Sequence, residues 1–217
     1  MKKTIVIAPH FDDELLGCGG TMLRKAKEGN ITSVILVTNL FKKNKKKNIK
    51  DKIIKDIKKK IKFKNIYELN FEASELTSSN IPSLIKKISA IFKEFKPDEV
   101  YVPHSSDIHT DHKIISEATL SCTKWFRYPF IKNIFAYETL SETNFNISDP
   151  NSFKPNYYVN ITSFFDKKLE ALKIYKQEIN SHPFPRSKTS ITALANLRGS
   201  ESGFKKAEAF QLLKGII

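Results

Sequence analysis

Residues 4–14 read TIVIAPHFDDE. Thr4–Ala8 is an uncharged, mostly β-branched run, the pattern of a strand buried on both faces. It stops at Pro9, and a histidine and three acids follow within five positions. A buried strand that delivers polar groups at its carboxyl end is how an open α/β sheet builds a binding crevice. The rest of the chain repeats the alternation. ITSVILVTN (31–39), NIYELNF (65–71), DEVYVP (98–103) and IKNIFAYET (131–139) read as further strands. Between them lie a helical stretch, Thr21–Glu28, closed by Gly29-Asn30, a lysine-rich helix, and a helix from about Ile81 to Phe95. That last helix carries Leu84, Ile88, Phe92 and Phe95 on one side, and Pro97 ends it. Strands alternating with helices predict an α/β fold: a mostly parallel sheet covered on both faces.

The second decisive stretch, DIHTDH (107–112), follows VYVP and opens a helix expected to run to about Trp125. On the alternating reading both polar clusters emerge at the same edge of the sheet and form one site. Their chemistry suits a metal. Zinc takes imidazole nitrogen and carboxylate oxygen, and a catalytic site uses three protein ligands. His10, Asp13 and His112 supply such a set. Asp12 then lies beside the metal as a general base. His109 reaches the other side of a bound substrate, and Asp111 is placed to hold a histidine ring in one tautomer. Taken singly, Asp12, Asp13 and Asp111 could each cap a helix. Capping does not account for all six at two strand ends. His104 reads as structural, and His182, in SHPFP, as a substrate contact at most.

Composition limits the other classes. The 217 residues suffice for a sizeable core, and the expectation is a single domain, 1–217, with a core of about 1–140 and a C-terminal extension of about 141–217. In that extension a polar loop spans 141–156, YYVNIT is a strand, Phe164–Ile179 a helix, and the tail from Thr189 to Ile217 mostly helical with an interruption around Gly199–Gly203. The apolar start is too short for a signal peptide, and no run spans a bilayer. The expected location is therefore cytoplasmic, with no stable membrane anchor. Cys18 and Cys122 lack a C-x-x-C partner, which excludes a cysteine-rich metal site. Of the net charge of +14, most lies between Lys42 and Lys64, where 13 lysines face two acids. Isoleucines recur there at helical spacing, so a solvated helix with a buried stripe explains the run better than nucleic-acid binding. GCGGT (17–21) lacks dinucleotide-loop spacing, and its glycines read instead as allowing close helix–sheet packing.

PHFDDE and HTDH resemble the P-H-P-D-D-E and H-P-D-H motifs of the PIG-L/LmbE-like family of zinc-dependent N-deacetylases. VTN (37–39), KPDEVYVPHSSDIHTDH (96–112) and RGSESGFKKAEAF (198–210) extend the likeness along nearly the whole chain. The resemblance implies a Rossmann-like three-layer sandwich whose C-terminal α+β extension closes over the site. It implies Zn2+ on His10, Asp13 and His112, Asp12 as base, and His109 stabilising the charged intermediate or protonating the leaving amine, with Asp111 orienting His109. The implied reaction releases acetate from an N-acetylated sugar or sugar nucleotide. The alternatives are an amidase on another sugar conjugate and a metal-dependent sugar-binding protein. A homo-oligomer is compatible with the sequence. Phe11 and Thr110 replace the two motif prolines, and Asn39-Leu40 replaces a frequent Asp-Gly. The lysines from Lys42 to Lys50 occupy the region from which an arginine often contacts substrate. Arg127, Arg186 and Arg198 are the candidate substrate contacts, since arginine matches phosphate geometry.

Overall fold

A computed structural model of the chain describes residues 1–41, 46–147 and 152–216. The strands β1 (Lys3–Ala8), β2 (Ile31–Thr38), β3 (Asn65–Phe71), β4 (Glu99–Pro103) and β5 (Asn133–Tyr137) are parallel. Two more, β6 (Tyr157–Asn160) and β7 (Ala207–Gly215), complete a seven-stranded sheet of order β3-β2-β1-β4-β5-β7-β6. β7 runs antiparallel to both of its neighbours.

The period-2 geometry of β1 separates two cores. Ile5 and Ile7 face one side with Leu84, Ile88 and Phe92 of α3 (Ile81–Phe95) and Ile115 of α4 (Thr110–Ser121). Val6 and Ala8 face the other with Leu15 and Met22 of α1 (Asp13–Lys27), Ile57 and Ile61 of α2 (Lys47–Ile61), Phe165 of α5 (Phe165–Leu172) and Ile191 of α6 (Lys188–Ser202). The result is the three-layer α/β sandwich expected. Burying each such side chain contributes about 1.5–3 kcal/mol. On α2 the isoleucine stripe holds as far as Ile53, while Ile49 is half exposed and the lysines are exposed apart from Lys50, which pairs with Glu68. The lysines at 42–45 lie outside the described residues.

Three boundaries differ from expectation. α1 starts at Asp13, not Thr21, because the Asp12 carbonyl accepts from the Leu15 and Leu16 N–H groups (2.9 and 2.8 Å). α4 stops at Ser121, and α5 at Leu172 followed by a 3-10 turn, Lys173–Tyr175. The tail is not mostly helical. Gly203 ends α6 in the left-handed conformation (φ 75°), and β7 follows. Its Ala, Glu, Gln, Leu and Lys residues favour a helix intrinsically, but pairing with β5 and β6 overrides that preference. The glycines of α1 do permit close packing. A Cβ on Gly17 would stand 2.3 Å from Tyr137 Cδ2, and one on Gly20 2.7 Å from Ile161 Cγ2.

Candidate active site

In the strand order, β1 lies between β2 and β4, so the chain leaves β1 toward one side of the sheet and later returns to fill the other. The loops after β1 and β4 therefore diverge, which opens a crevice at their carboxyl ends. His10 to Glu14 and His104 to His112 border it. Donor atoms of His10, Asp13 and His112 all lie within 4.8 Å of one another. His112 Nε2 is 3.4 Å from His10 Nδ1 and 3.2 Å from Asp13 Oδ2, and His10 Nδ1 is 3.3 Å from the same oxygen.

The opposite nitrogen of each ring is held by a carboxylate. His112 Nδ1 is 2.8 Å from Asp107 Oδ2, and His10 Nε2 is 3.0 Å from Asp111 Oδ2. Both supports are themselves fixed. Asp107 Oδ1 accepts from Thr143 Oγ1 (2.6 Å), and Asp111 accepts from the backbone N–H groups of Ser74 (2.7 Å) and Leu76 (3.3 Å). This leaves one nitrogen on each ring aimed at Asp13, the arrangement of metal-bound histidines with outer carboxylates. A second grouping, His10, His109 and Asp111, also lies within ligand range. It uses the Asp111 carboxylate that already anchors His10 and Ser74, so the first set is the better cradle.

Electrostatics agree. Burial would lower the two histidines, yet the carboxylates outweigh it. Asp111 and Asp13 push His10 up to about 9, and Asp13 and Asp107 push His112 up to about 10. Burial would raise Asp13, but His112 and His10 hold it well below the carboxylate range. The site thus favours positive charge among its acids. A divalent cation can replace those ring protons, since metal ligation takes the neutral imidazole.

Asp12 is buried and stands at the turn into α1 with φ 125°. A side chain in that region costs on the order of 1–3 kcal/mol and persists only when its surroundings hold it. The Asp12 carboxylate does not cap the helix. Instead Oδ2 accepts from Arg186 Nη1 at 2.7 Å, and the Asp12 N–H donates to Glu14 Oε2 at 3.1 Å. Glu14 in turn accepts from the Tyr175 hydroxyl (2.7 Å), and burial raises it to about 7. Burial and the neighbouring Asp13 charge raise Asp12 well above the carboxylate range, against the pull of Arg186. His109 is the N-cap of α4. Its Nδ1 accepts from the Asp111 N–H (3.1 Å), and its ring centroid lies 4.5 Å from that of His10. Burial and the charges of His10 and His112 lower its pKa. The Asp111 carboxylate therefore hydrogen-bonds His10, while its backbone N–H holds His109.

The remaining sequence candidates separate. Arg186 joins the cluster, on Asp12. Arg127 does not: α4 begins at the crevice and runs away from it, so the exposed loop with Arg127 sits at the opposite edge, where the Lys132 N–H meets the Asp98 carbonyl. Arg198 is engaged by Glu138 (2.7 and 2.8 Å) and Glu201 (2.9 Å). His104 is satisfied by Gln211 (3.0 Å) and Ser106 (2.7 Å), as its structural reading expects, and His182 is exposed. Asn39 Nδ2 reaches the Asn70 carbonyl (3.4 Å) and Glu72 (3.3 Å). Asp107, Glu14 and Tyr175 had no individual role in the sequence reading. Asp107 carried a signal, since it follows a strand and precedes His112 by five residues. Tyr175 carried none.

The chain is similar to the diacetylchitobiose deacetylase of Thermococcus kodakarensis, at 23% identity over all of this chain and 85% of that protein. It is similar to a probable N-acetyl-alpha-D-glucosaminyl L-malate deacetylase 2 of Bacillus cereus, at 24% identity over 82% of this chain and 84% of that one. Its fold matches the solved N,N'-diacetylchitobiose deacetylase of Pyrococcus horikoshii with a TM-score of 0.79, at 21% identity over 99% of this chain and 84% of that one. The family described as PIG-L, GlcNAc-PI de-N-acetylase, matches residues 5–123, which span β1 to the end of α4 and hold every residue of the cradle. The protein belongs to the PIG-L family of de-N-acetylases, metal-dependent hydrolases of an amide bond.

Proposed function

We propose that this chain is a zinc-dependent N-deacetylase that converts an N-acetylated sugar or sugar nucleotide and water into acetate and an amino sugar. It acts as a single domain in the cytoplasm. β6 and β7 continue the core sheet, which supports the single-domain reading, and among the described residues no helix is long and apolar enough to cross a membrane. The observation that carries the reading is the convergence of His10, Asp13 and His112, with the buried carboxylate of Asp12 near enough to feel the Asp13 charge.

When bound, a divalent cation lowers the pKa of water and polarises a carbonyl. The roles of the chain follow from its geometry. Asp12, held as a carboxylate by the Arg186 guanidinium, accepts the proton of the attacking water. His109 has its Nδ1 committed to the Asp111 N–H, which leaves the Nε2–H to stabilise the charge developing on the acetyl oxygen, and the proton that Asp12 takes from water is the one that leaves with the amine. Asp107 and Asp111 keep the rings of His112 and His10 in the tautomers that present Nε2 and Nδ1.

Acetate release from a panel of N-acetylated sugars, free, phosphorylated and nucleotide-linked, tests the reading. The zinc-loaded protein should release acetate from at least one, and Asp12→Ala should hold the metal yet lose about 10²–10⁴-fold in turnover. An Asp12→Ala variant with full turnover would remove Asp12 as base.

A further inference from the structure

Arg186 is where the geometry departs most from the reading of a free anion contact. Each of its three side-chain nitrogens donates a hydrogen bond inside the protein: Nε to Ser141 Oγ (2.8 Å), Nη1 to Asp12 (2.7 Å) and Glu178 (3.3 Å), and Nη2 to Glu142 (3.2 Å). A phosphate brought to this guanidinium would meet three carboxylates before it met the charge. The same short turn reaches the metal side. Ser141 and Glu142 seat Arg186, while Thr143 Oγ1 donates to Asp107, the carboxylate behind His112. The Glu142 carbonyl also accepts from the Ile108 N–H in the second motif loop (3.4 Å).

We propose that Arg186 is a positioning residue that fixes the Asp12 carboxylate, and that the turn at residues 141–143 aligns it with His112. This rests on the assignment of Asp12 as general base. A carboxylate on a strained turn has no helix-capping bond to hold its side chain. Arg186 supplies the missing constraint from a position 174 residues away in the chain. The C-terminal extension thereby completes a centre whose ligands all come from the first 112 residues.

The test compares Arg186→Ala and Arg186→Lys with the unmodified protein on the best substrate of the acetate panel. Arg186→Ala should keep its zinc content, lose about 10²-fold in kcat with KM nearly unchanged, and regain part of the loss when guanidinium ion is added. Lysine should not restore the rate, since it lacks the fork that serves Asp12 and Glu142 together. A raised KM with kcat retained would make Arg186 a substrate contact and overturn the proposal. Should Arg186→Ala fail to fold, Ser141→Ala, which removes only the Nε acceptor, should lower kcat at unaltered KM, and an unaltered kcat there would count against the turn. A readout without turnover is the thermal midpoint of metal-free Arg186→Ala, Asp12→Asn and the double variant. The double variant should lose less than the two single losses together, and strict additivity would overturn the pairing. If the zinc-loaded protein releases no acetate at all, the hydrolase reading falls, and the thermal cycle still decides whether Arg186 holds Asp12.

Discussion

Asp111 illustrates how finely a role depends on one atom. Its backbone N–H meets His109, but its carboxylate meets His10 Nε2, so its loss should be felt at the metal and not only in proton transfer. Asp111→Asn should lower metal affinity about 10–100-fold, the usual effect of removing an outer carboxylate. Competition against a chromophoric chelator measures this. Unchanged affinity with reduced turnover would restore the His109 role implied by the resemblance. The ligands themselves were legible in the sequence because their residue types are unusual and their spacing is local: His10 and Asp13 are three apart at a helix start. Their supports were not. The carboxylate of Asp111 and the guanidinium of Arg186 choose partners 101 and 174 residues away, and only the folded loops decide which.

The elements show the same division. β1, β2, β4 and β5 were legible because buried parallel strands are continuous apolar runs. β7 was not, because AEAFQLLKG has the composition of a helix and becomes a strand only between β5 and β6. α1 was seen only from Thr21 onward, since Gly17, Gly19 and Gly20 lower intrinsic helix propensity. Packing explains their presence: α1 approaches Tyr137 and Ile161 so closely that side chains do not fit. Gly17→Ala should gain helix propensity and still destabilise the protein by about 1–3 kcal/mol, because the added methyl meets the Tyr137 ring. Denaturant unfolding checks the sign. A stabilised variant would mean that Tyr137 yields freely, despite the hydrogen bond from its hydroxyl to the Ile7 carbonyl (2.8 Å).

At the scale of the molecule, the sheet order joins two motifs that stand about a hundred residues apart in the chain. Alternating strands and helices were enough to foresee that meeting, because parallel strands present all their carboxyl ends at one edge. They were not enough to foresee that Arg186 and Thr143, from the C-terminal extension, would bond Asp12 and Asp107. The same geometry sorts the arginines, placing Arg127 at the far edge and Arg186 at the centre.

The central claim is that PHFDDE and DIHTDH are two halves of one metal site. The most direct measurement is the metal content of the purified, zinc-supplied protein beside that of His112→Ala. The account predicts about one zinc per native chain and almost none in the variant, as for a three-ligand site. Equal zinc in both, or none in either, would contradict it.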